Sequence, residues 1–166
     1  MEFTIYTDGG CRGNRRNSGC IGGYGFLILD PAKNIIWNGG GKVKDTTNNM
    51  MEMRAVIEGM RWLKTKLNES YGGCEKHDCI VLTDSKYVCE NYEDYLPEWK
   101  KRGWKKSNRK PVINKDLWIC MDDLTPEFKS FRFKWVKAHA TDKYNIHVDA
   151  IVQRYMRDGS IPTPIT

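Results

Sequence analysis

Four carboxylates stand where a folded chain could bring them together. Asp8 follows a β-branched and aromatic run at 3–7, and Asp84 closes a short apolar run that begins at Cys79. Glu52 falls in the first turn of a long helical pattern, and Asp149 lies within the last one. Groups at the ends of strands in open α/β sheets are exposed by the following loop yet held rigidly by the strand. If the first and fourth strands are neighbours, Asp8 and Asp84 project side by side. Bringing two such anions within about 4 Å costs on the order of 4 kcal/mol at an effective dielectric of 20. That cost calls for protonation or a bound cation. Carboxylate oxygens without histidine or cysteine suit Mg²⁺ or Mn²⁺ better than zinc. Taken singly, each residue also has a structural role open to it, as a turn residue or as an acid favoured at a helix N-terminus.

The elements that must position these groups are legible from patterning. Residues 3–7, 22–29 and 33–42 read as three strands, the last two joined by a turn at Asp30-Pro31, so the chain opens as an antiparallel meander. From Asn49 the period changes. Met53, Val56, Met60, Leu63 and Leu67 recur at steps of three and four, the apolar stripe of a helix. The run 79–82 is wholly apolar, as in a parallel strand buried on both faces. Ser85 then reads as the N-cap of the next helix. Residues 96–118 mix helix and basic loop, 131–136 read as the last strand, and 142–157 as a closing helix. The order predicts a mixed sheet with helices on its faces. The proline-containing tail beyond 157 cannot continue that helix.

A length of 166 residues predicts a single domain with a real core. With 40% hydrophobic and 29% charged residues, the composition excludes a disordered or fibrous chain. The 27 basic against 21 acidic residues give a net charge of +6, which suggests a polyanionic partner. No apolar run approaches the roughly 18 residues that span a bilayer, so no membrane association is expected. The N-terminus lacks a basic region followed by an apolar stretch, so no signal peptide is read there. The six cysteines are irregularly spaced without a CxxC pair, and reduced thiols in an intracellular compartment, cytoplasmic or nuclear, are expected. Cys74, His77 and Cys79 have no second half with zinc-ligand spacing. No dimer motif is present, and a monomer is expected.

Five segments then become specific: YTDGGCRGN, TTNNMMEMRAV, LTDSKYV, WKKRGWKKSNRKPVINKDLW and WVKAHATDKYNIHVDAIV, in that order. Together they resemble the type 1 ribonuclease H family in its cellular form with a basic protrusion, over residues 2–157. The resemblance implies a ribonuclease H-like α/β fold, a five-stranded mixed sheet flanked by helices, with a catalytic domain over 1–157; the proline-containing remainder, 158–166, is expected to be a loose tail. It implies endonucleolytic hydrolysis of the RNA strand of RNA–DNA hybrids. Asp8, Glu52, Asp84 and Asp149 would hold two divalent ions, normally Mg²⁺, with Mn²⁺ as the alternative. One ion would activate water and the other would stabilise the leaving 3′ oxygen, giving 5′-phosphate and 3′-hydroxyl ends. Ions only about 3.5–4 Å apart require a bridging carboxylate, by analogy Asp8. His139 matches the family's loop histidine, which aids proton transfer and product release.

The same resemblance places Asn14, Asn48 and Asn49, with backbone groups near Cys11, on the RNA strand, where the 2′-hydroxyl is the chemical difference to be read. Asn48 and Asn49 also suit turn and cap chemistry before a helix. Thr47 and Asn114 match a phosphate pocket for the DNA strand, and Tyr95 stands where relatives carry a tryptophan packed on deoxyribose. Ser107 and Tyr87 are weaker candidates for that groove. Trp99, Lys100, Lys101, Arg102, Trp104, Lys105 and Lys106 match the basic handle. The stretch 100–110 holds seven basic residues and no acid; without those seven the chain has 20 basic against 21 acidic residues. The positive excess is therefore local. Departures from the family pattern are Ala138 and Thr141 around His139, Ile146 for an acid, Asp45 for a basic residue that Lys44 could replace, and the longer stretch Arg15–Ser18. Two alternatives remain: another two-metal nuclease of the same fold, or a catalytically silent hybrid-binding module.

Overall fold

The computed structural model describes residues 1–13, 20–137 and 142–158. Its five strands are β1 (Glu2–Arg12), β2 (Ile21–Leu29), β3 (Ile35–Lys44), β4 (Asp78–Thr83) and β5 (Ser130–Trp135). They form one sheet in the order β3-β2-β1-β4-β5. β1, β2 and β3 are antiparallel, whereas β4 runs parallel to both β1 and β5. The mixed sheet expected from the element order is thus present. The helices are α1 (Asn48–Ser70), α2 (Lys86–Glu90), α3 (Leu96–Lys101), α4 (Lys115–Leu124) and α5 (Lys143–Asp158).

Alternation along β1 divides the core between two layers. Phe3 and Ile5 join Met53, Val56, Met60, Leu63, Val81, Trp118 and Phe133 in the main cluster beneath α1 and α4. Tyr6 joins Leu27, Leu29 and Val148 in a smaller cluster beneath α5. The stripe read from spacing is the buried face of α1: Met53, Val56, Met60, Leu63 and Leu67 have no measurable exposure. α2 and α3 are joined by a π-helical turn over Asn91–Tyr95, in which the Leu96 N–H reaches back five residues to the Asn91 carbonyl. Pro97 follows, and its missing N–H and bulky ring are sufficient reason for a widened turn.

Two boundaries differ from the sequence reading. β1 does not stop at Asp8 but pairs with β2 through Arg12↔Ile21. Its partner β4 ends earlier, so Asp8 lies past the parallel ladder while still inside the antiparallel one. The glycines after Asp8 make a turn the natural reading, yet both lie within the strand, and Gly9 serves a close approach to α1. The cap of α1 is Thr47, whose hydroxyl accepts from the Met50 N–H, and Asn48 is already helical. Asn48 and Asn49 therefore do not cap the helix. Residues 158–166, expected to form a loose tail, lie outside the described residues except for the helical Asp158.

Candidate active site

The last parallel rung between β1 and β4 pairs Tyr6 with Leu82. Two residues further along stand Asp8, still within β1, and Asp84, one residue past β4, so the strand register brings them side by side. α1 delivers the third group. One carboxylate oxygen from each of Asp8, Glu52 and Asp84 lies within 4.8 Å of the others. Glu52 is only 8% exposed, while Asp8 and Asp84 are half-buried.

Such crowding has a titration consequence. Burial, then the Asp84 charge and the neighbouring Asp149 carboxyl, raise Asp8 to about 7, against a small opposing effect of a hydrogen bond from the Gly9 N–H. Burial, with Asp8 and Asp84 nearby, pushes Glu52 well above the ordinary carboxylate range. Asp149 reaches Asp8 from α5 across the sheet end as a more exposed fourth member, outside the tight group of three. Among the described residues the donor set is all carboxylate oxygen, and its mutual repulsion is relieved by positive charge. It therefore fits a hard divalent cation.

Three supports have little or no signature in the sequence. The Gly9 N–H donates to Glu52 Oε1 at 3.1 Å. A side chain at position 9 would press on the backbone of α1, with a Cβ only 2.6 Å from the Glu52 nitrogen, so glycine lets strand and helix touch here. The buried Thr83 hydroxyl donates to Glu52 Oε2 at 3.4 Å and accepts from the Ser85 N–H at 3.1 Å. Ser85 in turn caps α2 through the Val88 N–H, as its position suggests. The Trp135 indole N–H donates to the Asp84 carbonyl at 3.0 Å. The doubled glycine of TDGG is the only signal for any of these. Thr83 and Trp135 are ordinary strand residues by type.

The substrate-contact candidates fall into groups. Asn48 Oδ1 accepts from the Cys11 N–H at 2.8 Å, which ties the start of α1 to β1 and occupies that backbone donor. Asn49 and Thr47 are exposed beside it, following Asp45, which adopts a left-handed backbone (φ 54°). Asn114 is also left-handed (φ 59°), and its amide donates to the Tyr87 hydroxyl at 3.1 Å. Tyr95 is 54% exposed, and its ring stacks on Trp99 at 6.2 Å and 19°. Asn14, His139, Ala138, Thr141 and Arg15–Ser18 lie outside the described residues. Ile146 is an exposed apolar residue on α5. No disulfide is formed among the described residues, although the Cys11 and Cys20 sulfurs are 3.0 Å apart.

The basic arm is folded rather than loose. Trp99 is buried, and the Trp104 N–H donates to its carbonyl at 2.6 Å. Left-handed residues Gly103, Trp104 and Arg109 turn the chain, and an isolated bridge pairs Lys105 with Pro111. Lys101, Arg102 and Lys105 are exposed, and Lys106 is half-buried. Lys100 pairs with Asp122 at 3.1 Å and Lys101 with Glu98 at 3.6 Å. Among the described residues no helix is long and apolar enough to cross a membrane.

Comparison with known proteins agrees with this geometry. The RNase H family model matches residues 1–157. A ribonuclease H of Wolbachia sp. subsp. Drosophila simulans (strain wRi) is 38% identical over 160 residues, covering 95% of this chain and 97% of that protein. Ribonuclease HI of Pseudomonas aeruginosa is 36% identical over 156 residues, covering 92% of each. Among solved structures, LC9-RNase H1, a type 1 RNase H with the type 2 active-site motif, superposes with a TM-score of 0.79 at 24% identity, over 99% of this chain and 76% of that one. LC11-RNase H1 in complex with RNA/DNA hybrid gives 0.68 at 19% identity, over 93% and 96%. These two structures show the fold, and the family model and sequence relatives show the kinship. The chain belongs to the ribonuclease H family of nucleases.

Proposed function

We propose that this protein cuts the RNA strand of RNA–DNA hybrids endonucleolytically at the Asp8–Glu52–Asp84 cluster, with Asp149 as the fourth carboxylate. The observation that carries this reading is the convergence of three carboxylates, one buried, at the C-terminal end of paired parallel strands. These residues would hold two divalent ions, Mg²⁺ by preference. When bound, such ions lower the pKa of an attacking water and stabilise the leaving 3′ oxygen, so that the products carry 5′-phosphate and 3′-hydroxyl ends. The chain's own part is to hold its oxygens in place: Gly9 and Thr83 orient the two oxygens of Glu52, and the strand register orients Asp8 and Asp84.

Recognition follows from the groups around the cluster. Because Asn48 Oδ1 is taken by the Cys11 N–H, its amide N–H donors are the groups left to meet a ribose 2′-hydroxyl. Asn14 and Asn49 are proposed for the same strand. Thr47 and Asn114 would take a DNA phosphate, and the exposed face of Tyr95 would pack on a sugar. Trp99 and Trp104 support the arm whose Lys100, Lys101, Arg102, Lys105 and Lys106 grip the backbone. His139 is proposed to move a proton and aid product release. The chain would act as a monomeric single domain over 1–157 in a reducing intracellular compartment.

The deciding assay uses matched RNA–DNA, RNA–RNA and DNA–DNA duplexes, with Mg²⁺ and with chelator. Only the RNA of the hybrid is expected to be cut, leaving 5′-phosphates, and chelator should stop it. Equal cutting of double-stranded RNA overturns the specificity.

A further inference from the structure

Asp84 lies one residue past the end of β4, where the ladder should no longer hold it. The final rung pairs Thr83 with Trp135, and the Val136 N–H donates to the Thr83 carbonyl at 2.9 Å. The next carbonyl is that of Asp84, and it takes the Trp135 indole N–H at 3.0 Å. A side chain thus supplies one more rung, at the residue carrying the carboxylate.

Among the described residues the indole takes little part in the core. It is 43% exposed and belongs to neither hydrophobic cluster, which is unusual for so large an apolar ring. Lys86, two residues after Asp84, places its ammonium 5.0 Å from the ring centre and braces it from α2. Ahead of Asp84, the Thr83 hydroxyl ties the same turn to Ser85 and Glu52. The Asp84 peptide is therefore held from both sides.

We propose that Trp135 is a positioning residue for Asp84: its indole N–H fixes the peptide that aims the carboxylate into the cluster, and so sets how tightly the cluster holds a divalent ion. This rests on the divalent-ion site proposed above. Losing the N–H while keeping an aromatic ring should loosen the carboxylate without disturbing the sheet. One ordinary hydrogen bond corresponds to an affinity change of about three- to tenfold.

The test is calorimetric titration of the whole protein with Mg²⁺ or Mn²⁺ alone. Trp135→Phe and a protein carrying 3-benzothienylalanine at position 135, which keeps the shape of indole without its N–H, are compared with wild type and with Asp8→Asn. Expected are Kd values about three- to tenfold weaker in both ring variants, a matching rise in the Mg²⁺ needed for half-maximal cleavage, and an unchanged KM for hybrid at saturating Mg²⁺. An unchanged metal Kd overturns the proposal, whatever happens to melting temperature. A raised KM for hybrid with normal metal affinity also overturns it, making the ring a substrate contact. Failure of the wild type to bind divalent ions in an Asp8-dependent way sinks the underlying metal reading instead.

Discussion

The carboxylate end of the sheet and the basic arm carry opposite charge and are built in opposite ways. The cluster is held from every side: strand register, the Gly9 N–H, the Thr83 hydroxyl and the Trp135 indole all constrain it. Its anions are crowded and partly buried, so they shift each other's titration. The arm keeps most of its cations in solvent, anchors itself through Trp99 and Trp104, and turns on left-handed residues. Only the first arrangement stores electrostatic repulsion for a cation to relieve. The second suits a grip on phosphate by counterion release, as proposed for it, which needs charge near the surface and little precision. Chemistry demands fixed oxygens; holding a polyanion does not.

The largest break in this contrast should come from Asp8→Asn. Cleavage should fall by about 10²–10³-fold or more in single-turnover assays, as expected when preorganised electrostatic stabilisation is lost. Hybrid affinity measured by anisotropy should be retained or improve, because the arm is untouched and one negative charge is gone. Next comes Gly9→Ala, which forces a Cβ against the backbone of α1. Overpacking of this kind costs about 1–3 kcal/mol, readable by chemical denaturation, and activity should fall because Glu52 loses its place. Gly10→Ala is the control: its Cβ would meet only Asn48 Oδ1 at 3.8 Å, an ordinary van der Waals distance.

A smaller effect concerns pH. Asp8 in the folded, metal-free chain sits at about 7, above the ordinary value of 3.8. A raised acid contributes stability that is present below the unfolded pKa and is lost as pH rises through the folded one. With chelator, the melting temperature should therefore fall between about pH 4 and 7. Asp8→Asn should flatten that dependence, and Mg²⁺ at pH 8 should restore stability to the wild type. A chelated wild type whose melting point rises over this window would contradict the crowding. Smallest in catalytic terms is replacement of Lys100, Lys101, Lys105 and Lys106 by Ala. Each phosphate that no longer has a lysine to neutralise it should flatten the slope of log affinity against log salt by about 0.9, a total of roughly 3–4, with kcat little changed. Lys100 and Lys101 already have acidic neighbours, so Lys105 and Lys106 should account for more than half.

Sequence reasoning reaches the strands and the long helix because each has a strong local signature, and it reaches the convergence of Asp8 and Asp84 because both stand at the ends of strands that pair. The stripe from Met53 to Leu67 is a periodic pattern that only a helix satisfies, and the run from Cys79 fits a doubly buried strand. What escapes is whatever depends on a neighbour far along the chain. β1 passes through TDGG because β2 continues to pair with it, and no local feature of Gly9-Gly10 separates a turn from a close approach. Thr47 caps α1 although two asparagines follow it, since Asn48 is used by Cys11. α4 merges with the basic loop in the sequence because its ten residues carry only a short stripe. Trp135 has no signal at all, as its partner is a backbone carbonyl.

The parallel pairing of β1 with β4 has a consequence for how the protein is made. Tyr6 meets Leu82 across 76 positions, and only this closure sets Asp8 beside Asp84. Strand pairing so distant in sequence carries a large loop-closure entropy and is a slow event in folding. The β1–β2–β3 meander can assemble earlier from local pairing, but at that stage it carries Asp8 alone. During synthesis the emerging chain consequently cannot set Asp8 beside Asp84 until β4 has left the ribosome and docked, so the carboxylate cluster forms late.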